Sequence, residues 1–115
     1  MSTQSFTINP GISQIDYPTA NALIESNQCL LLDVREKDEF NSGFIPTAVN
    51  LSVNEITADT ASKVAPNKAK PIILYCRTGR RTKDAATKLK ALGYYYILDM
   101  GGISNWPFAI EYPKD

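Results

Sequence analysis

Two short apolar runs constrain the fold of this chain more than any other feature. Residues 29–34 read Cys-Leu-Leu-Leu-Asp-Val, and residues 71–75 read Pro-Ile-Ile-Leu-Tyr. Both have the length of a β-strand, but polar residues do not alternate with apolar ones as they do in a strand with one solvent-exposed face. We therefore interpret them as buried strands. Helical patterns follow them, which predicts repeated β-then-α units with right-handed crossovers and a parallel sheet.

The rest of the chain continues this alternation. Further strands are predicted at 12–16, 48–51 and 95–98, and helices after Pro18, at 36–41, at 59–64 and at 82–92. The helix at 82–92 is the clearest, because its apolar residues recur at helical spacing and a glycine follows it. Gly101-Gly102 follow the last strand, and a turn then leads to Trp106. These elements predict an α/β fold with a central parallel sheet of about five strands, helices on both faces, and one domain over residues 1–115.

Charge and composition exclude several classes of function. Lysine plus arginine equals aspartate plus glutamate at 12 each, so neither nucleic acid nor a membrane is expected as a partner. No apolar run reaches the roughly 18 residues of a membrane helix, and residues 1–5 lack a secretory-signal pattern, so we expect a cytoplasmic protein. The absence of histidine rules out a Ser-His-Asp triad, a Cys-His pair and a histidine-ligated zinc site.

Cys76 stands where a reactive thiol is expected. The strand at 72–76 runs directly into Arg77-Thr78-Gly79-Arg80-Arg81, and the clearest helix follows. A thiol attacks as its thiolate, which is favoured by the unpaired N–H groups of a helix N-terminus and by adjacent cations. Ligands of parallel sheets bind beyond the carboxyl ends of the strands. We therefore expect the strand end to expose Cys76 and the loop to form a small anion-binding site.

Cys29, the second cysteine, is expected to be a small core residue at the start of its strand. If its strand and the strand at 72–76 are parallel neighbours, the two cysteines lie at opposite ends. About five residues at roughly 3.3 Å each exceed the roughly 7 Å Cα separation that a disulfide allows. The sequence therefore predicts two free thiols, and a structural zinc site built from thiolates is excluded.

Four further segments carry a family signature. They are 32–36 (Leu-Asp-Val-Arg-Glu) with Glu39 and Phe40, 43–51 (Gly-Phe-Ile-Pro-Thr-Ala-Val-Asn-Leu), 76–81 (Cys-Arg-Thr-Gly-Arg-Arg) and 101–106 (Gly-Gly-Ile-Ser-Asn-Trp). In this order they resemble the single-domain rhodanese sulfurtransferases over nearly the whole chain. Phe44 replaces the usual histidine of that family and Thr47 a usual glycine. Arg77 fits the branch that uses thiosulfate, and Thr78 stands where some members have lysine.

The resemblance implies a rhodanese-like fold and a covalent sulfur relay. Cys76 would take sulfane sulfur from a small anionic donor such as thiosulfate, release sulfite, and hold the sulfur as a persulfide. The acceptor would be cyanide, a thiol or an acceptor protein, and no metal or organic cofactor is required.

In this sulfur relay, the residues of the loop would bind the anionic donor and the charged sulfur of Cys76. Their backbone N–H groups and arginines would stabilise the thiolate, the persulfide and the leaving sulfite. A positive φ is expected at Gly79. The loop set is Arg77, Thr78, Gly79, Arg80, Arg81 and Thr82. Thr82 would cap the helix or be the last amide donor. Asp33 and Arg35 would form an ion pair or hydrogen bonds near the loop without taking part in the chemistry.

Two other functions remain alternatives. A persulfide carrier or regulatory module that docks a partner protein would need the same thiol without turnover. A cysteine-dependent phosphatase or arsenate reductase would need arginine at the seventh loop position, which here is Thr82, while the arginine falls one residue early. The loop length therefore disfavours phosphoryl chemistry.

Overall fold

The structure is a computed structural model that describes residues 8–113, and it has the predicted α/β architecture. Five parallel strands form one sheet in the order β1-β5-β4-β2-β3. The strands are β1 (Gly11–Gln14), β2 (Leu30–Asp33), β3 (Val49–Asn50), β4 (Ile72–Cys76) and β5 (Tyr96–Gly102). The helices are α1 (Tyr17–Glu25), α2 (Lys37–Asn41), α3 (Ala58–Val64) and α4 (Arg81–Ala91), with 3-10 turns at Val53–Glu55 and Ile103–Asn105. The expectation for residues 1–5 lies outside the described range.

Helices cover both faces of the sheet, as predicted. All residues of β4 are buried, and successive side chains of a strand point to opposite faces. Ile73 and Tyr75 belong to the hydrophobic cluster under α1, whereas Ile72, Leu74 and Cys76 belong to the cluster under α3 and α4. Within residues 8–113 no helix combines the length and apolarity needed to span a bilayer.

Both cysteines are free, as predicted, and both are buried. Leu30 pairs with Ile72 in the parallel ladder between β2 and β4, so Cys29 lies beside the start of β4 and Cys76 at its end. Burial raises the pKa of the Cys29 thiol to about 11, against a smaller opposing effect of the Lys70 charge. Cys29 is therefore a core residue that stays protonated at neutral pH.

The last strand is longer than the sequence suggested. β5 covers Tyr96–Gly102, so the strand prediction at 95–98 was too short. The strand continues through Gly101-Gly102, and the predicted turn follows them at Ile103–Asn105. The pairing with β4 shifts by one residue at Met100, which forms a β-bulge. The Asp99 carboxylate accepts a hydrogen bond from the Gly101 N–H at 2.9 Å, and this contact holds the bulge. Because β5 extends to Gly102, both glycines lie beside the loop that follows Cys76.

Thr47 has a backbone conformation that few residues with side chains adopt. Its φ is 75°, in the left-handed region that favours glycine. For an L-residue the left-handed region costs about 1–2 kcal/mol, and β-branching adds to the crowding. Thr47 is exposed and lies outside the strands, so this strain falls on a surface turn.

Candidate active site

The loop between β4 and α4 closes directly over the sulfur of Cys76. It comprises residues 77–80, because α4 begins at Arg81, one residue earlier than predicted. Gly79 has a φ of 98°, which confirms the predicted positive φ. In this conformation the Gly79 N–H donates to Cys76 Sγ at 3.0 Å. Of the six predicted amide donors, Gly79 is the one that hydrogen-bonds the sulfur within the described part of the chain.

Cys76 is buried, which corrects the expectation that the strand end exposes it. The residue is 1% exposed and packs at the end of the hydrophobic cluster under α4. Two features explain this burial. Strand alternation points Sγ towards α4, and the short loop folds back over it. Because the Gly79 N–H covers the sulfur, a donor must displace or pass the loop backbone before it meets Sγ.

Thr82 is not the N-cap of α4, which was one of the two roles predicted for it. The N-cap position of α4 is Arg80, which makes no side-chain capping bond. Thr82 lies in the first turn, is fully buried, and its hydroxyl donates to the Gly79 carbonyl at 3.0 Å. The side chain thus fixes the peptide unit next to the one whose N–H contacts the sulfur. This hydrogen bond stabilises the conformation of the loop.

Arg81 is held by Glu39 of α2, a partner that the sequence did not reveal. Two hydrogen bonds join the guanidinium and the carboxylate, at 2.6 Å and 2.9 Å. The hydrogen bonds from Arg81 lower the pKa of Glu39 to about 2, against a smaller opposing effect of burial. The same pair raises the pKa of Arg81, with a further contribution from the nearby Cys76. Arg81 is therefore a fixed cation at the loop.

We expect Glu39→Gln to destabilise the protein by about 1 kcal/mol near neutral pH, because the charged pair is partly screened by solvent. A carboxyl whose pKa is lowered on folding stabilises the native state above its unfolded pKa, here 4.5, and loses that effect as pH falls towards about 2. The difference in unfolding free energy between the variant and the parent should therefore shrink below about pH 4.5. Urea denaturation at several pH values measures this difference, and a constant difference would contradict the assignment.

Arg77, Thr78 and Arg80 form the outer surface of the loop, and all three are exposed. Together with Arg81 and Asp84 they line an open depression of about 650 Å³. Neither Arg77 nor Arg80 forms an ion pair with another described residue. These two guanidinium groups are therefore the cations that remain available to an incoming anion.

Asp33 and Arg35 form the buried ion pair that was predicted near the loop. Arg35 Nη2 lies 2.7 Å from Asp33 Oδ2 and also donates to the Gly43 carbonyl at 2.7 Å. Burial opposes the charge of Arg35, but the hydrogen bonds and charge of Asp33 outweigh it, so the pKa of Arg35 is raised. The pair ties the end of β2 to Gly43, just after α2. It therefore stabilises the segment that carries Glu39 and makes no hydrogen bond to Cys76.

Gly102 supports the loop from the neighbouring strand, a role that the sequence did not predict. A Cβ added to Gly102 would lie 2.6 Å from Thr78 Cα and would overlap the Arg77 carbonyl oxygen. The Ser104 N–H donates to the same carbonyl at 3.1 Å. The backbone of β5 therefore packs directly against the backbone of the loop. The Gly-Gly pair was the available signal, because glycine permits a close approach of two backbone segments.

Trp106 is a core residue, one of the two roles that the sequence allowed. It is 8% exposed, its ring packs edge-on against Tyr17, and its indole N–H donates to the Ala109 carbonyl at 3.1 Å. Residues 8–113 contain no cluster of three or more cysteine, aspartate or glutamate side chains placed to hold a metal ion. The groups described around Cys76 are its thiol, the Gly79 N–H, and the guanidinium groups of the loop and of Arg81.

Comparison with known proteins places this geometry in a family. The model of the rhodanese-like domain matches residues 17–107. A protein of Allochromatium vinosum named sulfurtransferase is 31% identical over 83% of this chain and 88% of its own length. The Escherichia coli protein YibN is 27% identical over 76% of this chain, and the match spans 62% of that longer protein.

Solved structures agree with the family match. The crystal structure of the BH2092 protein from Bacillus halodurans superposes with a TM-score of 0.78 at 27% identity, covering 87% of this chain and 77% of that chain. Residues 17–107, which the family model matches, include strands β2 to β5, the loop after Cys76 and Gly102. The chain belongs to the rhodanese-like domain family.

Proposed function

We propose that the protein is a sulfurtransferase that moves sulfane sulfur from thiosulfate, or a similar anionic donor, to cyanide or a thiol through a persulfide on Cys76. First, the Cys76 thiolate attacks the outer sulfur of the donor, the S–S bond of thiosulfate breaks, and sulfite leaves with the bonding electron pair. Then the acceptor attacks the outer sulfur of the persulfide, and the electron pair of that S–S bond returns to Sγ. Each step exchanges one bond to sulfur for another, so no external oxidant or reductant is consumed.

The contact between the Gly79 N–H and Cys76 Sγ carries this proposal. An amide donor aimed at the sulfur stabilises the thiolate before attack and the persulfide after it. The fixed cation Arg81 adds charge stabilisation from α4. Family membership and the name of the Allochromatium vinosum relative support the class of reaction. The arginines of the loop favour an anionic donor.

Two measurements test the proposal. Mass spectrometry of the protein after incubation with thiosulfate should show the addition of one sulfur atom to the peptide that contains Cys76. With cyanide also present, thiocyanate should accumulate over many turnovers. No sulfur on Cys76 and no thiocyanate above a protein-free control would overturn the proposal, and a stable adduct without turnover would indicate the carrier alternative.

We expect Arg77→Ala and Arg80→Ala each to raise the KM for thiosulfate by about three- to tenfold, with a smaller effect on kcat. A surface cation contributes about 1 kcal/mol to the binding of a nearby anion, and the donor loses that attraction. Steady-state kinetics with varied thiosulfate separate the two parameters. Lys90→Ala is the matched control, because it removes an exposed cation from the far end of α4. An unchanged KM in both loop variants would argue against donor binding by these arginines.

A further inference from the structure

A second cavity, here called the β5 cavity, lies beside the active-site loop. Its volume is about 590 Å³ and it opens at the carboxyl ends of β1 and β5, where ligands of parallel sheets commonly bind. The residues used in the argument below are Thr78, Gly79 and Arg80 of the loop, Lys83 of α4, and Asp99 and Gly101 of β5. Gly79 lines this cavity and also donates its N–H to Cys76 Sγ. One backbone unit therefore separates the cavity from the reactive sulfur.

The β5 cavity contains a buried carboxylate with one oxygen that lacks a close partner. Asp99 is 6% exposed, and its Oδ1 accepts the Gly101 N–H at 2.9 Å. Its Oδ2 has Lys83 Nζ at 3.9 Å, which is too long for a hydrogen bond. No fully buried side-chain oxygen among the described residues lacks a hydrogen-bond partner, so Oδ2 is open to the cavity, where a charged donor can reach it. Oδ2 therefore suits an ammonium group brought by a ligand.

Two cations lie at the edge of the same cavity. The Lys83 side chain is 67% exposed, so its ammonium can move over the opening. Arg80 is exposed and forms no ion pair with another described residue. A ligand that carries a carboxylate beside its ammonium would meet complementary charges at both groups. The cavity therefore has the charge pattern for an α-amino acid.

From this arrangement we propose that the β5 cavity binds the sulfur acceptor, and that the acceptor is an α-amino acid thiol such as cysteine or homocysteine. The ammonium of the acceptor binds Asp99 Oδ2, its carboxylate binds Lys83 and Arg80, and its thiolate faces the loop. This inference rests on the proposed function, because it requires a persulfide on Cys76. It adds the class of acceptor and the residues that select it.

The transfer step is balanced without a further reactant. The acceptor thiolate attacks the outer sulfur of the Cys76 persulfide and forms a new S–S bond with it. The bond between that sulfur and Sγ breaks, and its electron pair remains on Sγ as the regenerated thiolate. The products are an amino acid persulfide and the free enzyme.

The test compares acceptors with thiosulfate as the donor. The acceptors are cysteine, homocysteine, cysteine methyl ester, N-acetylcysteine, glutathione and 2-mercaptoethanol, used at equal thiolate concentrations. We expect kcat/KM for cysteine to exceed that for 2-mercaptoethanol by about tenfold or more, since a charge-assisted contact contributes at least about 1.4 kcal/mol. The methyl ester lacks the carboxylate and the N-acetyl compound lacks the ammonium, so both should lose much of this preference. Glutathione carries its α-amino acid group far from the thiol, so its kcat/KM should not show the preference expected for cysteine.

Two variants assign the preference to the cavity. Asp99→Asn keeps an oxygen for the Gly101 N–H but removes the charge, and should reduce the advantage of cysteine over N-acetylcysteine. Lys83→Gln should reduce the advantage of cysteine over its methyl ester, and it changes a side chain that is 67% exposed. Lys90→Gln, at the other end of α4, should leave both ratios unchanged.

The outcome separates this inference from the proposed function. Thiocyanate formation from cyanide by the unaltered protein reports the persulfide chemistry by itself. If that reaction proceeds but cysteine and 2-mercaptoethanol have equal kcat/KM, the acceptor site is disproved while the sulfurtransferase function stands. Preferences that persist in both Asp99→Asn and Lys83→Gln would also disprove it.

Discussion

Cys76→Ser is expected to reduce thiocyanate formation from thiosulfate and cyanide by at least about a thousandfold, because a serine hydroxyl is a far weaker nucleophile and cannot form a persulfide. The fold should persist. The serine oxygen can accept the Gly79 N–H that now contacts Sγ at 3.0 Å, and the buried site loses little volume. We expect a loss of about 1 kcal/mol in unfolding free energy. Thiocyanate assays and urea denaturation of the same preparation measure both effects.

Cys29→Ser is the matched control for that experiment. Cys29 is also buried in the sheet, at 7% exposure, but lies beside the opposite end of β4. This substitution should lower stability and leave turnover per folded molecule intact. Comparable turnover in folded Cys76→Ser, or its disappearance in folded Cys29→Ser, would refute the assignment of Cys76 as the nucleophile.

Features with local sequence signals could be predicted. The apolar run at 72–76 and the helical spacing that follows it place Cys76 at a junction between strand and helix, and the structure has that junction. The positive φ of Gly79 follows from the same short connection. In each case the determinants lie within a few residues of one another, so pattern and propensity are sufficient.

Features that depend on long-range packing could not be predicted. Glu39 and Arg81 are 42 positions apart, and the sequence shows their charges but not that they meet. The burial of Cys76 depends on which sheet face its side chain takes and on how the loop returns over it. The extension of β5 through Gly101-Gly102 depends on the bulge at Met100 and the hydrogen bond from Gly101 to Asp99. All three are set by tertiary contacts.

The contact between Gly102 and the active-site loop leads to the second strong prediction. A methyl group on Gly102 would overlap the Arg77 carbonyl oxygen and lie 2.6 Å from Thr78 Cα, and both obstacles are backbone that cannot rotate away. Such overpacking typically costs about 1–3 kcal/mol and shifts the backbone. The displaced segment begins directly after Cys76 and leads into Gly79, whose N–H contacts the sulfur. We therefore expect Gly102→Ala to lower kcat/KM for thiosulfate by about a hundredfold, since a shift of about 1 Å at a reacting centre can have that effect.

Gly101→Ala separates loss of loop geometry from simple destabilisation. Gly101 has a φ of 91°, so alanine is strained there by about 1 kcal/mol, but no atom lies within 4 Å of the added Cβ. Both variants should therefore unfold at lower urea concentration than the parent. At a temperature where both are folded, Gly101→Ala should keep most of its kcat/KM, whereas Gly102→Ala should not. Equal kcat/KM in the two folded variants would mean that the Gly102 contact does not set the position of the sulfur-binding loop, and that the Gly79 N–H keeps its place over Cys76 by local conformation alone.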